Sequence, residues 1–223
     1  TVAVVVATLR ALKLHGGGGV AKAGVALPSG LTGPNQEALS KGITNLEQHI
    51  ANVLAHGVPV VVAVNAFKDD PPDELQWVRD QSIKMGATDA AVSTHWADGG
   101  RGAEQLAAAV VKASERPAHF KHLYELSWPI RKKIETIATR MYGAAGVTFE
   151  PEAERQIDTA EALGYGGLPV CMAKTPLSLS HDPALKGRPT GFTVPIREVR
   201  ILAGAGFVTA VCSGIQLMPG LPK

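Results

Sequence analysis

The stretch PVVVAVNAF, residues 59–67, decides the fold. Its run of valines reads as a strand buried on both faces, as a parallel sheet requires. It then ends on Asn65, Ala66 and Phe67, an amide and a large ring where the chain must leave the core. In open parallel sheets ligands bind beyond the carboxyl ends of the strands, so these residues stand where a site belongs. Outward from this stretch, strands are predicted over 2–7, 58–64 and 89–93, and helices over 36–55, 73–85 and 102–114. The 36–55 helix carries Leu39, Ile43, Leu46, Ile50 and Leu54 on one face and closes at His56-Gly57. Asp69, Asp70 or Asp73 is expected to cap the next helix. Residues 10–34, rich in Gly, Ala and Pro, read as a loop. The alternation implies right-handed βαβ units and a parallel sheet with flanking helices, the α/β class.

Beyond Pro117 the pattern changes. Helices are predicted over 129–142 and 151–163, the latter with proline in its first turn. A short strand is expected in LPVCMAKT, and two more over 192–196 and 207–211, which makes a smaller C-terminal α/β lobe. The 223 residues are 45% hydrophobic and 19% charged, enough to bury a core. A net charge of +2 argues against nucleic acid as a partner, and the absence of a long apolar run argues against a membrane. Cys171 and Cys212 lack metal-ligand spacing and read as reduced thiols of a cytoplasmic protein. The sequence opens at Thr1 inside the apolar run TVAVVVAT, which predicts a piece of a longer protein with an exposed sheet edge and apolar face.

Two of the three parallel strands end on aromatics. The second ends on Asn65-Ala66-Phe67 and the third on Ser93-Thr94-His95-Trp96. Neighbouring strands put such ends side by side, so Phe67 and Trp96 are expected to wall a slot for a flat heteroaromatic ring, with Asn65, Thr94 and His95 as polar neighbours. The bland alternative is that each ring plugs the top of the core; the matched positions favour a site. Arg10 and Lys13, three apart, either face one anion or belong to a solvated helical turn. Lys174, Thr175, Ser178, Ser180, His181 and Asp182 form a dense donor set suited to a phosphate, a carboxylate or a ribose. Arg197 and Arg200 lie in an apolar context, where an ion pair between lobes is expected. The glycines at 16–19 lack the order of a phosphate-binding P-loop, and His49 reads as structural. No Ser-His-Asp order, HExxH or CxxC pair appears, so no zinc or other metal ligand set is predicted.

Eleven segments in order resemble the formate–tetrahydrofolate ligase family: ATLRALKLHGG, NLEQHI, GVPVVVAVNAF, STHWADGGRG, IATRMYGA, GYGGLPVCMAKT, SLSHDP, GRPTGF, IREVR, AGAGF and MPGLP. The resemblance implies an enzyme of one-carbon metabolism that joins formate to tetrahydrofolate with ATP and magnesium, through formyl phosphate, to give 10-formyltetrahydrofolate. It implies a cytoplasmic homo-oligomer, dimer or tetramer, that acts on small molecules. It assigns residues 1–46 to the remnant of a P-loop-type nucleotide domain, 47–137 to an α/β folate-binding lobe and 138–223 to a C-terminal lobe. Folate would lie between Phe67 and Trp96, with Val92, Asn65 and His95 lining the slot; Lys174, Thr175, Ser178 and Ser180 would serve the nucleotide. Lys68 stands where the family pattern has proline. With no P-loop in these residues, this stretch alone is expected to be inactive.

Two alternatives stay open. One is a non-catalytic folate-binding or assembly module. The other is a GTPase-like switch, because VNAFKDD followed by VSTHWADGG mimics a guanine-reading pair of strand ends; Ala66 stands where that reading wants lysine.

Overall fold

A computed structural model describes residues 1–212, 214 and 215. The MPGLP segment lies outside the described residues. The chain divides into two compact units, the first made of residues 1–121 with 186–188 and the second of the remainder.

The first unit is built on β1 (Ala3–Ala7), β2 (Val60–Asn65) and β3 (Asp89–Ser93), parallel and in the order β1-β2-β3. Val60, Val62 and Val64 face a core shared with Leu9, Leu39, Ile43, Leu46 and Val78, while Val61 faces Ala109 and Ala113. The central strand is thus buried on both faces, as its valine run requires. The edge strand β1 is not. Its burial alternates, and Val6 is 65% exposed, so the predicted apolar face is present on one side of β1 only.

The segment read as a loop contains two helices, α1 (Leu9–His15) and the single turn α2 (Ser29–Thr32). Thr8 starts α1 by accepting the Ala11 N–H at 3.1 Å, and Leu9 and Leu12 anchor it in the core. Seven residues beside a glycine tract carry too short a period to declare a helix. Next come α3 (Gln36–Leu54), capped by Asn35, and α4 (Pro72–Lys84). No aspartate caps α4. Asp70 turns back to accept the Phe67 N–H at 3.0 Å, and Pro72 supplies the preset first turn.

Helices α1 and α3 cross at contact distance. A Cβ on Gly42 would lie 1.8 Å from the Leu12 carbonyl oxygen, and one on Gly16 1.7 Å from that of Ala38. Gly42→Ala gains about 1 kcal/mol of helix propensity, but the overlap falls on backbone, which cannot swing aside. We expect a net loss of about 1–3 kcal/mol, the range for overpacking, measured as reduced hydrogen-exchange protection of α1 and α3. An unchanged or raised protection would show that the two helices separate without cost.

His15 at the end of α1 accepts the Gly187 N–H on Nδ1 at 3.1 Å. Burial, then Lys186 and His49, hold its pKa below the ordinary 6.5. The folded state therefore keeps this ring neutral while the unfolded chain takes up a proton. Stability should fall as pH drops through 6.5 toward the folded value, and be unaffected above it. His15→Gln keeps an acceptor without a titration, so comparing the two proteins between about pH 8 and pH 5 isolates this contribution; identical profiles would contradict it.

The rest of the first unit is the four-residue α5 (His95–Asp98), a 3₁₀ segment Gly99–Ala103 and α6 (Glu104–Ser114). The second unit contains α7 (Ile130–Tyr142), β4 (Gly146–Phe149), α8 (Pro151–Ala162), β5 (Val170–Ala173), β6 (Thr193–Leu202) and β7 (Phe207–Cys212). Its sheet runs β4-β6-β7-β5, with β6 and β7 antiparallel and the outer pairs parallel. Ile134, Ile157, Val194, Ile196 and Val208 form its core. The strand β4 was not predicted, and β6 runs well past Pro195. That proline is tolerated because its nitrogen faces away from β4, and the β6–β7 ladder on the other side begins only at Ile196. Among the described residues the ion pairs of Arg197 and Arg200 lie on their own strand, not between lobes as expected. Both donate to Glu198 Oε1, at 3.0 and 2.8 Å, on their own strand. Burial opposes the charge on Glu198, yet these two arginines hold its pKa below the usual carboxylate value.

Candidate active site

The parallel register aligns Asn65 of β2 with Ser93 of β3, and the Ala66 N–H donates to the Ser93 carbonyl at 3.0 Å. The chain exits that carry Phe67 and Trp96 therefore leave the same end of the sheet from adjacent strands.

Each exit is fixed by its own hydrogen bonds. After β2, the Asp70 N–H donates to the Phe67 carbonyl at 3.1 Å, while the Asp70 carboxylate accepts the Phe67 N–H. This reciprocal turn sets where the benzyl group leaves the backbone. Arg10 then covers one face of the ring, its guanidinium carbon 4.0 Å from the ring centroid, and its Nε lies 3.8 Å from Asp70 Oδ1. The pair Arg10 and Lys13 thus serves neither one shared anion nor a solvated turn. Arg10 meets Asp70, and Lys13 meets Glu74, with Nζ 2.5 Å from Oε2. Two cations one turn apart on α1 thus face two acids, Asp70 in the bend before α4 and Glu74 in its first turn.

After β3, the Thr94 N–H donates to the Gly102 carbonyl at 3.0 Å, and the Thr94 hydroxyl donates to Asp98 at 2.7 Å. Gly102 lies so close to Thr94 that a Cβ would sit 2.5 Å from its carbonyl carbon. This closed loop presents Trp96 outward on α5, with 79% of the residue exposed. His95 is exposed as well, and its Nδ1 lies 3.0 Å from the buried Ser93 hydroxyl. Val92 is half-buried and packs on the core. Among the described residues Asn65 Oδ1 is buried without a hydrogen-bond partner. A buried acceptor left unmatched is costly, and this one lies at the carboxyl end of β2. Arg10 over Phe67 is the feature that sequence reasoning missed. The cation's helical position placed it there, and α1 had been read as a loop.

The other predicted set lies in the second unit. The Lys174 ammonium donates to the carbonyls of Thr175 and Ser178 and stands 4.9 Å over the Tyr142 ring. Burial pushes its pKa down, against an opposing pull from Cys212. Burial likewise pushes Cys212 up to about 11, with Lys174 opposing, and raises Tyr142. The hydroxyls of Ser178 and Ser180 lie 2.9 Å apart, and each also accepts a backbone N–H from its own loop. The Thr175 hydroxyl accepts the Leu177 N–H at 3.2 Å. Among the described residues there is no group of three His, Cys, Asp or Glu side chains able to hold a metal ion. No helix among them is long and apolar enough to cross a membrane.

The chain is similar to known proteins over its full length. The family model for formate–tetrahydrofolate ligase matches residues 1–223. A formate–tetrahydrofolate ligase of Herpetosiphon aurantiacus is 49% identical over 220 residues, 99% of this chain and 39% of that protein. The cytoplasmic C-1-tetrahydrofolate synthase of Schizosaccharomyces pombe is 48% identical over 220 residues, 98% of this chain and 24% of the relative. A mitochondrial C-1-tetrahydrofolate synthase of Saccharomyces cerevisiae is 46% identical over 218 residues, 98% of this chain and 22% of the relative. The chain thus spans about a quarter of the length of those synthases. With the whole of its sequence matched and nearly half of it identical to these proteins, the chain belongs to the formate–tetrahydrofolate ligase family.

Proposed function

We propose that this chain supplies the folate-binding part of an ATP-dependent formate–tetrahydrofolate ligase, with Phe67 and Trp96 as the walls of the slot. The observation that carries the reading is the shared exit: adjacent parallel strands in register, one ending in a clamped benzyl group, the other in an indole left open to solvent. An exposed tryptophan on a self-bonded loop contributes little to the core; it is suited to a flat partner. The pteridine or aminobenzoyl ring would lie between the walls, with Val92 at the base and Asn65 and His95 as polar edges. Held there, the folate amine is presented to an activated formyl group, and orientation is the protein's main contribution to such a transfer. In this reading formate is first phosphorylated by ATP to formyl phosphate, and attack by the amine expels phosphate and leaves 10-formyltetrahydrofolate. Lys174, Thr175, Ser178 and Ser180 are proposed for the nucleotide side, residues 1–46 as the edge of the nucleotide domain, 47–137 as the folate lobe and 138–223 as the third lobe. A cytoplasmic homo-oligomer completes the proposal.

Calorimetric titration with tetrahydrofolate tests it. Saturable binding is expected without ATP or formate, because the walls are present before either arrives. Folate that fails to bind, or that binds equally well when both rings are removed, would overturn the reading.

A further inference from the structure

We propose that Arg10 is a positioning residue for folate: it acts through Phe67, holding the ring's orientation and occupying the face that the ligand does not use. This rests on the slot reading above. Arg10 reaches the ring from the first turn of α1, so all three parallel strand ends contribute, β1 through the cation, β2 through the benzyl group and β3 through the indole. The guanidinium sits 4.0 Å from the ring centroid, within cation–π range. Its alignment with Asp70 is loose: 3.8 Å at Nε, which is buried and finds no hydrogen-bond acceptor among the described residues. An arginine placed only to staple α1 would engage its carboxylate in two short parallel bonds. Here its flat face is given to the ring instead. Two consequences follow from elementary electrostatics. One face of Phe67 is closed, so a ligand can stack only on the other. The cation also draws ring density toward itself, which makes the free face a better partner for an electron-rich aminobenzoyl or reduced pterin ring. Asp70 keeps the cation near neutral balance and, through the Phe67 N–H, ties the backbone to the same group.

The experiment uses the protein that carries this chain, with tetrahydrofolate as the probe. Arg10→Met keeps the stem and loses the charge; Arg10→Lys keeps a cation. With Met the folate KM is expected to rise about five- to tenfold, the size of one partly desolvated cation–π contact, with kcat unchanged; Lys should restore most of it. In a Phe67→Ala background Arg10→Met should add nothing further. Equal KM for wild type and Arg10→Met, or full additivity of the two substitutions, would overturn the proposal while leaving the slot intact. A fall in kcat and thermal stability with KM unmoved would show a staple and also overturn it. If Phe67→Ala itself leaves folate binding unchanged, the slot reading fails and this inference with it.

Discussion

Glu74→Ala is expected to remove about 3–5 kcal/mol of stability from the first unit, the cost of stranding one member of a buried ion pair. Lys13 is fully buried, and Glu74 nearly so. The ammonium also donates to the Gly33 carbonyl at 2.7 Å, and the second carboxylate oxygen accepts the Asn35 N–H at 2.6 Å. Asn35 in turn caps α3 and donates to the Gly30 carbonyl, which holds the loop between α1 and α3. Removing Glu74 therefore leaves an ammonium with one carbonyl and a backbone donor with none. Native-state hydrogen exchange of α1 and α3 reads the loss for this unit alone, which a global transition of a two-unit chain would blur. Pairing Lys13→Met with Glu74→Leu removes both charges and should recover the part due to the stranded ammonium, because an apolar pair of similar volume strands no charge; the unmatched Asn35 N–H and Gly33 carbonyl keep the remainder. A loss below about 1 kcal/mol for Glu74→Ala would mean that water reaches the pair.

Trp96→Ala should weaken tetrahydrofolate binding by about 1–3 kcal/mol, the range for losing one aromatic stacking face. Stability should move by no more than about 0.5 kcal/mol, as for ordinary surface positions. That contrast discriminates. A ring that plugged the core would cost stability when removed, whereas the indole here is four-fifths open. The loop that carries it is held by Thr94, Asp98 and Gly102, none of which depends on the indole. Trp96→Phe should fall between the two, since a smaller ring keeps part of the stacking area. Unchanged folate affinity in Trp96→Ala, measured by calorimetry, would remove one wall from the proposed slot.

How much of this was legible in the residues differs from element to element. The valine run of β2 declared a two-sided strand, and Leu39, Ile43, Leu46, Ile50 and Leu54 declared α3 by period alone; the first four are buried, while Leu54 at the helix end is exposed. Phe67 and Trp96 could be singled out as a proposed pair because strand direction is readable and the strand-end rule then says where to look. Short elements were not legible. The helix α1 has seven residues and β4 has four, too few for a period to stand out from chance. Pairings far apart in sequence were invisible for another reason. Arg10 with Phe67 and Lys13 with Glu74 depend on where α1 packs, and no local pattern carries that. The aspartates before α4 show the same limit: their type suits a cap, yet Asp70 is drawn to Phe67 and Arg10 instead.

In the proposed slot Phe67 and Trp96 hold one folate between them. Nuclear Overhauser contacts between tetrahydrofolate and the protein, with the two rings selectively labelled, test this most directly. Contacts from both rings to the same aromatic protons of the ligand are expected. Contacts from only one ring, or from neither while folate is bound elsewhere, would contradict it.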